Sequence, residues 1–595
     1  MAQPTSAVTP HLVFVPNLRV DRGMGHLKRC LAAAGKLAVV YLADDPVFTK
    51  HRAVFERSQV RALADQAGAV LWDRWPADLV VPTVVVDLQA TDHAAFLFLR
   101  ERCHSLVGWD EGGPTRALFP FLVDSLPHDT RPKPNVHIPG LLGIAMPSVP
   151  PLFQRPVQKV LAVFGGADPA GLTLRFLKFV RSLQGQERWP YSLTVVRGPL
   201  SRLAFPPDTD VLEAPAHLAD LLGEYDLTVT SWGLTALESL AAGTPVLLLN
   251  PTRYHERLTR AAGLPSFGVL RPRDRAFRSG IVKASAAART AFGTLLQEPQ
   301  DAGVYFSAFH GSDGRCPVCR TAGHPVFART EHKSYHRCVG CGMEYLSVHQ
   351  LQAKEYSEAY FFEDYEKQYG KTYLQDFPHI QTLGRQRLAF LTKTFGRRPE
   401  LTILDVGCAY GPFLAAVSEA GHRPFGLDVA AAAVDHVRQS LGFPAVQTSF
   451  LDFRWETSFP GQSKPDVLTM WYVIEHFSDL EALLRQVSAV LPLGGVFAFA
   501  SPNGQGITRK FQPQKFWRES PDDHFSIWNP GNSRSVLARF GFEVTACRIT
   551  GHHPERFPGL GPSRGPLFSL VAALDRWLGW GDTFEVYARK IKELP

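Results

Sequence analysis

Short apolar runs punctuated by glycine set the rhythm of the first half of the chain. HLVFVP (11–16) is followed by a glycine turn, GMGH (23–26), and then by helix-compatible residues. VPTVVVDL (81–88) and SLVGWD (105–110) repeat the apolar run. A near-continuous apolar strand reads as buried on both faces, and strand, glycine loop, helix is the opening of a βαβ layer. The proline-rich segment IPGLLGIAMPSVPPLFQRPV (138–157) predicts a hinge. Beyond it a second series begins, with strands KVLAVFGG (159–166), SLTVVRG (192–198), LTVTSWG (227–233) and PVLLLNP (245–251). A third layer is expected from TILDVGCAYGPFLAAVSEAGHRPFGLDVA (402–430), with one strand at 402–406 and another ending at Asp428. Near the end, PLFSLVAALDRWLGW (566–580) is apolar and amphipathic between strand-like GFEVTACRI and FEVYARK. It predicts a helix that packs on the sheet or caps a site; weak contact with a membrane surface is the alternative.

Length and charge narrow the picture. At 595 residues the chain exceeds what one hydrophobic core supports, so three or more domains are expected. A formal charge of +7 is mild for this size. The one basic run, RPRDRAFR (271–278), is interrupted by Asp274 and reads as a solvated linker, so nucleic acid is not an expected partner. MAQPTSAVTPHLVFVP lacks the charged and apolar regions of a signal peptide, and no apolar run approaches the roughly 18 residues that span a bilayer. A cytoplasmic, reducing location is expected, with Cys30, Cys103, Cys408 and Cys547 scattered rather than arranged as a disulfide framework.

Two doubly wound layers joined by a hinge predict a two-lobed ligand-binding body, with its cleft at the carboxyl ends of the strands. In TSWGLTALESLAAGTPVLLLNPTRYHE (230–256), Gly233, Leu234 and Thr235 turn the chain into a helix whose free N–H groups suit a diphosphate. Glu238 falls one turn later, within reach of a ribose hydroxyl pair. Residues 11–290 resemble the GT-B-fold family of UDP-sugar hydrolases that release 2,4-diacetamido-2,4,6-trideoxy-altrose in pseudaminic acid synthesis. Its G-x-G-H-x-x-R-C motif is matched by Gly23, Gly25, His26, Arg29 and Cys30, and its F-G-G-x-D-P by Phe164, Gly165, Gly166, Asp168 and Pro169. The resemblance implies His26 as the base that activates water. It implies Gly25, Arg29, Gly166, Asp168, Ser231, Gly233, Leu234, Thr235 and Glu238 as residues that hold a nucleotide sugar. The helix after His26 is shorter than the family pattern, which leaves hydrolase, glycosyltransferase and binding-only module open.

In the third layer the loop Gly407-Cys408-Ala409-Tyr410-Gly411 reads G-x-A-x-G, not the G-x-G-x-x-G of a dinucleotide site. This spacing resembles class I S-adenosylmethionine (SAM) methyltransferases. The resemblance implies Asp405, Gly407, Cys408 and Gly411 around the methionine end of SAM and Asp428 on the ribose. VIEHFSD (473–479) and LPLGG (491–495) fit the same family. His476 just past the fourth strand and His524 in FWRESPDDHFSIWNP are the candidate proton acceptors. Trp471 and Tyr472 are candidates to stack on cofactor or acceptor, with core packing the alternative.

Between the two halves, Cys316, Cys319, Cys338 and Cys341 have the spacing C-x2-C-x18-C-x2-C of a tetrahedral zinc site. His324, His332 and His336 are possible substitutes as ligands. The tyrosine-rich stretch with Tyr356, Tyr360, Tyr365, Tyr369 and Tyr373 leads into the third layer. That order, zinc ribbon, helical lead-in, SAM fold, resembles sugar-modifying methyltransferases. The expected fold class is therefore α/β. Two GT-B-type Rossmann-like lobes (1–150 and 151–300) precede a zinc ribbon (314–345), a helical lead-in (346–395) and a class I methyltransferase domain (396–595). The expected function is a bifunctional enzyme of bacterial surface-glycan sugar synthesis with SAM and zinc as cofactors. It would methylate a sugar or sugar nucleotide at one end and cleave, transfer or merely bind a nucleotide sugar at the other.

Overall fold

The structure, a computed structural model, describes all residues except 1–9, 20–23, 37, 49–54, 128–130, 200, 216, 310–313, 350–365, 367–369, 397, 561–564 and 595. The chain divides into two compact units, Met1–Asp313 and Gly314–Pro595.

The N-terminal unit holds two parallel sheets. The first contains β1 (Leu12–Pro16), β2 (Val39–Tyr41), β3 (Val70–Trp72), β4 (Val81–Asp87), β5 (Cys103–Trp109), β6 (Phe121–Asp124) and β7 (Val136–His137), in the order β3-β2-β1-β4-β5-β6-β7. Alternation along β1 and β4 sends Leu12, Phe14 and Val85 into one core and Val13, Val15, Val84 and Val86 into the other. Both faces are covered, which is why these strands read as unbroken apolar runs. The second sheet contains β8 (Lys159–Val163), β9 (Ser192–Arg197), β10 (Asp210–Glu213), β11 (Leu227–Thr230), β12 (Val246–Asn250) and β13 (Ser266–Val269), in the order β10-β9-β8-β11-β12-β13.

The basic run at 271–278 is not a linker. Asp274 opens the long helix Asp274–Leu295, whose Phe277, Gly280, Ala284, Ala288 and Ala291 are buried at helical spacing while the charges face out. The chain then returns to the first sheet. Phe306 of the helix Ala302–Ser307 packs against Phe14 and Trp109 at ring-centroid distances of 5.9 and 5.2 Å.

The C-terminal unit begins with an antiparallel sheet of β14 (Val326–Arg329), β15 (Lys333–Arg337) and β16 (Glu344–Val348). Its main sheet contains β17 (Thr402–Val406), β18 (Arg423–Asp428), β19 (Ala445–Gln447), β20 (Val467–Trp471) and β21 (Val496–Pro502). A further short strand, β22 (Ser526–Ile527), joins the antiparallel sheet as its fourth member, beside β16. The main sheet is completed by β23 (Phe542–Thr550) and β24 (Thr583–Lys590), in the order β19-β18-β17-β20-β21-β24-β23 with β24 antiparallel. The long helix Tyr373–Phe395 precedes β17, started by a Thr372 capping box; Tyr356, Tyr360, Tyr365 and Tyr369 lie outside the described residues. The helix Pro566–Leu578 buries Val571 and Asp575 and leaves Leu567, Leu570, Leu574 and Trp577 exposed. Its apolar face is thus turned mainly outward, not onto the sheet. Among the described residues no helix is long and apolar enough to cross a membrane.

All three wound sheets reverse their strand order at one point, between β1 and β4, β8 and β11, and β17 and β20. Crevices for ligands form at such points, outside the carboxyl ends of the strands. The loops that open there are the ones the sequence singles out.

Candidate functional site

The crevice of the C-terminal unit opens on a loop that leaves no room for a side chain at two positions, Gly407 and Gly411. After β17, Gly407 and Gly411 have φ of 72° and 82°, and Ala409 is held at 46°. A Cβ on Gly407 would lie 2.5 Å from Val473 Cγ2, and one on Gly411 would lie 2.7 Å from Leu441 Cδ1. Asp428, at the end of β18, locks this loop: its Oδ2 accepts from Ala409 N at 2.8 Å and its Oδ1 from Ala430 N at 2.9 Å. Asp405 is buried and accepts from Thr469 Oγ1 at 2.6 Å. Burial pushes its carboxyl up to about 7, against the opposing pull of the Thr469 hydrogen bond and Arg387. The Cys408 side chain packs in the core with Leu414, Val434, Val437 and Ala445. Gly407→Ala adds left-handed strain of roughly 1–2 kcal/mol to a steric clash. The expected outcome is a loss of at least about tenfold (~1.4 kcal/mol) in S-adenosylhomocysteine affinity, read by calorimetry.

A second group of side chains lies one strand over. β20 ends at Trp471, and Tyr472 follows with φ of 61°. The next turn, Ile474–His476, carries Glu475 and His476. Trp471 packs on Phe413 and lies under the Arg387 guanidinium, so it belongs to the core; Tyr472 is 41% exposed, and burial of its hydroxyl raises its pKa against the opposing hydrogen bond with Thr583. Glu475 is 1% exposed, and its Oε2 has no hydrogen-bond partner among the described residues. Burial pushes its carboxyl up to about 7, with His476 pulling the other way. His476 Nδ1 lies 3.2 Å from Asp523 Oδ2, and the His476 and His524 rings meet edge to face at 4.7 Å. The structure thus brings His476 and His524 together and adds Glu475 and Asp523. The E-H pair within VIEHFSD is the one signal in the sequence for Glu475; nothing local marks Asp523.

The four cysteines of the two C-x-x-C pairs converge, all sulfurs within 4.8 Å of one another. Cys316 and Cys341 lie 3.4 Å apart and Cys319 and Cys338 3.5 Å apart. A tetrahedron built on ~2.3 Å zinc–sulfur bonds has edges of about 3.8 Å, so the set fits such an ion. The histidines stay outside it. His324 Nε2 is 2.9 Å from Thr321 Oγ1, His336 Nε2 is 2.9 Å from Ser347 Oγ, and His332 lies beside Glu331.

In the N-terminal unit the helix Gly25–Ala34 starts earlier than the glycine turn suggests and takes His26 into its first turn. Gly23 lies outside the described residues. His26 Nδ1 is 2.6 Å from Asp87 Oδ1 at the end of β4. Asp87 also accepts from Arg29 Nε at 2.6 Å, and Arg29 Nη1 donates to Asp110 at 2.6 Å. Arg29 is therefore fully engaged by protein carboxylates. Burial alone would lower its pKa; Asp87 and Asp110 outweigh that and raise it. Nothing in the sequence marks Asp87, the second-to-last residue of VPTVVVDL, as a partner of His26.

Across the cleft, a Cβ on Gly25 would lie 3.8 Å from Leu234 Cδ1, and one on Gly166 would lie 3.6 Å from Met24 Sδ. The loops of the two lobes therefore face each other. Asp168 caps the helix Leu172–Gln184, accepting from Leu172 N and Thr173 N at 2.8 Å each. The helix Leu234–Ala241 starts at extended Gly233 with no side-chain cap. Ser231, Gly233, Leu234, Thr235 and Glu238 are all partly exposed at or near its start. Burial raises the Glu238 pKa, with Lys28 acting in the opposite sense.

The glycine loop, Asp405 and Asp428 stand at the strand-order reversal of a seven-stranded wound sheet. Residues 379–546 match the model of a methyltransferase-domain family, and the C-terminal region is a class I SAM-dependent methyltransferase domain. The chain is 27% identical over 133 residues to a ubiquinone biosynthesis O-methyltransferase of Histophilus somni, covering 22% of this chain and 56% of that protein. It is 32% identical over 144 residues to a probable S-adenosylmethionine-dependent methyltransferase of Mycolicibacterium smegmatis, covering 24% and 52%. An uncharacterized protein of Methanocaldococcus jannaschii is 22% identical over 286 residues, covering 42% of this chain and 56% of that protein. The chain thus spans about half the length of the curated relatives it matches. Among solved structures, a SAM-dependent methyltransferase from Archaeoglobus fulgidus aligns with a TM-score of 0.29 and 17% identity, over 39% of this chain and all of that one.

Proposed function

We propose that the C-terminal unit methylates a sugar or sugar nucleotide and that the N-terminal unit holds a nucleotide-activated sugar and hydrolyses it. The observation that carries the first half is the cluster of buried Glu475 with the partly exposed His476, Asp523 and His524 beside the SAM cradle. SAM, when bound, supplies the methyl group and its leaving sulfur. The protein must orient the acceptor and take its proton. A His476 Nδ1–H donated to Asp523 leaves Nε2 as the basic nitrogen. Glu475, poised near neutrality, balances the positive charge that His476 then gains. Orientation in a water-poor pocket supplies most of the remaining barrier lowering.

The second half rests on the uncapped helix start at Gly233 opposite the first turn of the helix Gly25–Ala34, which carries His26. Asp87 holds His26 by Nδ1, which turns Nε2 to a water. Glycosyl transfer and simple binding are the competing outcomes for this unit. The reading of the chain as a bifunctional, soluble cytoplasmic enzyme of surface-glycan synthesis goes with it. Any weak membrane contact would fall on the exposed face of the helix Pro566–Leu578.

The same reading assigns zinc to the four cysteines. Cys338→Ser or prolonged chelation is then expected to unfold residues 314–348 and lower the melting temperature of the C-terminal unit, while UDP-sugar binding by the N-terminal unit persists. Differential scanning calorimetry and metal analysis check this. The function itself is tested by mass spectrometry of products formed from SAM and a panel of nucleotide sugars.

A further inference from the structure

We infer that the cysteine-bearing sheet is the platform that positions the acceptor-side histidines, with Lys333 and Tyr335 of β15 as its positioning residues. This rests on the methyltransferase reading and assigns these two side chains a part in it.

Asp523 and His524 lie on a stretch, 513–528, that is docked on this sheet along its length. β22 follows His524 by one residue and pairs with β16, Tyr345 opposite Ser526 and Glu344 opposite Ile527. Leu346 N donates to Phe525 O at 3.0 Å, immediately beside His524. On the other side of the histidine, the Lys333 ammonium donates to Ser520 O and pairs with Asp522 at 2.8 Å. Tyr335 Oη donates to Trp517 O at 2.8 Å, and its ring packs on Trp517 at 4.5 Å. Lys333 is 7% exposed and Tyr335 1%, so these are not loose surface contacts.

The partner histidine is tied to the same platform by a second route. Three residues past His476, Asp479 caps the helix Leu480–Val490, and Glu481 N donates to Pro317 O between Cys316 and Cys319 at 2.9 Å. The turn with Glu475 and His476 and the loop with Asp523 and His524 are therefore both fastened to the cysteine-bearing segment. Their mutual distance is set by it. The SAM cradle, by contrast, takes its shape from β17, β18 and Asp428. Disturbing Lys333 should therefore leave cofactor binding intact and misplace Asp523 and His524. A displacement of about 1 Å at a reacting group costs roughly 100-fold in rate.

The test compares wild-type full-length protein with Lys333→Met, Lys333→Arg and Tyr335→Phe, using S-adenosylhomocysteine as the probe. Calorimetry reads its affinity, hydrogen exchange reads the amides of 517–527, and histidine-ring NMR reads the titration of His476 against Glu475, Asp523 and His524. The expected result is unchanged affinity within about twofold (~0.4 kcal/mol), faster exchange at 517–527, and a displaced His476 titration in Lys333→Met. Lys333→Arg should restore the titration, and Tyr335→Phe should give a smaller change of the same kind. An unaltered His476 titration in both Lys333→Met and Tyr335→Phe overturns the proposal, as does parallel loss of affinity and titration in Tyr335→Phe. If wild type fails to bind S-adenosylhomocysteine, the methyltransferase reading fails; the exchange and titration data then decide the platform on their own.

Discussion

Glu475→Gln is expected to abolish methyl transfer while stabilising the C-terminal unit above neutral pH. The folded carboxyl has its pKa raised from 4.5 to about 7, and burial is the main cause. Between those values the folded protein holds a proton that the unfolded chain has lost, so stability falls as pH rises through the window. The contribution is best below the unfolded value and is lost by the time pH passes the folded one. Above pH ~7 the wild type carries a buried carboxylate at a cost of about 3 kcal/mol, taking ~1.4 kcal/mol per unit of pKa. Glutamine never ionises, but its amide must find partners in the same pocket, a cost of about 1–2 kcal/mol. A net gain of about 1–2 kcal/mol is expected near pH 8 and none near pH 5, read by urea denaturation at the two pH values. The rate should fall by roughly 100- to 1,000-fold, the usual worth of one group that stabilises charge developing in the transition state. Equal stability changes at both pH values would mean that Glu475 is not the titrating group.

In the N-terminal unit the largest effect is expected at Asp87. Its carboxylate receives Arg29, meets His26 Nδ1 at 2.6 Å and takes the Cys30 Sγ at 3.6 Å, all fully buried but for His26. Asp87→Ala leaves the Arg29 guanidinium in the core with Asp110 as its remaining carboxylate, and breaking such a pair costs about 3–5 kcal/mol. Asp87→Asn keeps the shape and should cost less, yet it removes the charge that would steady a protonated His26. His26→Ala, at a partly exposed position, should barely change stability. Calorimetry with UDP-sugars and an assay for released UDP separate the cases. Retained binding with no release in His26→Ala, against release by wild type, fits a base. Binding without release in both proteins would leave a sugar-binding module.

What the sequence disclosed and what it hid divide along sequence separation. The strand–glycine–helix openings were legible because backbone geometry demands it: Gly407 and Gly411 sit at positive φ with no room for a Cβ. The cysteine spacing was legible for the same reason, since each knuckle is local. Asp87 was not, because its partner His26 lies 61 residues away on another element. Asp523 and Glu475 escaped likewise; the loop and the turn meet in space alone. β22 is two residues long and carries no periodicity, so its place in the cysteine-bearing sheet could not be read at all. The misreading at 271–278 had a different cause. A charged composition hid a helical period of buried small residues that begins inside the run.

The central claim is methyl transfer to a sugar by the C-terminal unit. Mass spectrometry of mixtures of the full-length protein, SAM and nucleotide sugars tests it most directly. The account predicts the gain of one methyl group on a sugar, S-adenosylhomocysteine in equal amount, and loss of that product with Glu475→Gln. SAM turnover onto a non-sugar acceptor, or no methyl gain on any nucleotide sugar of the panel, would contradict it.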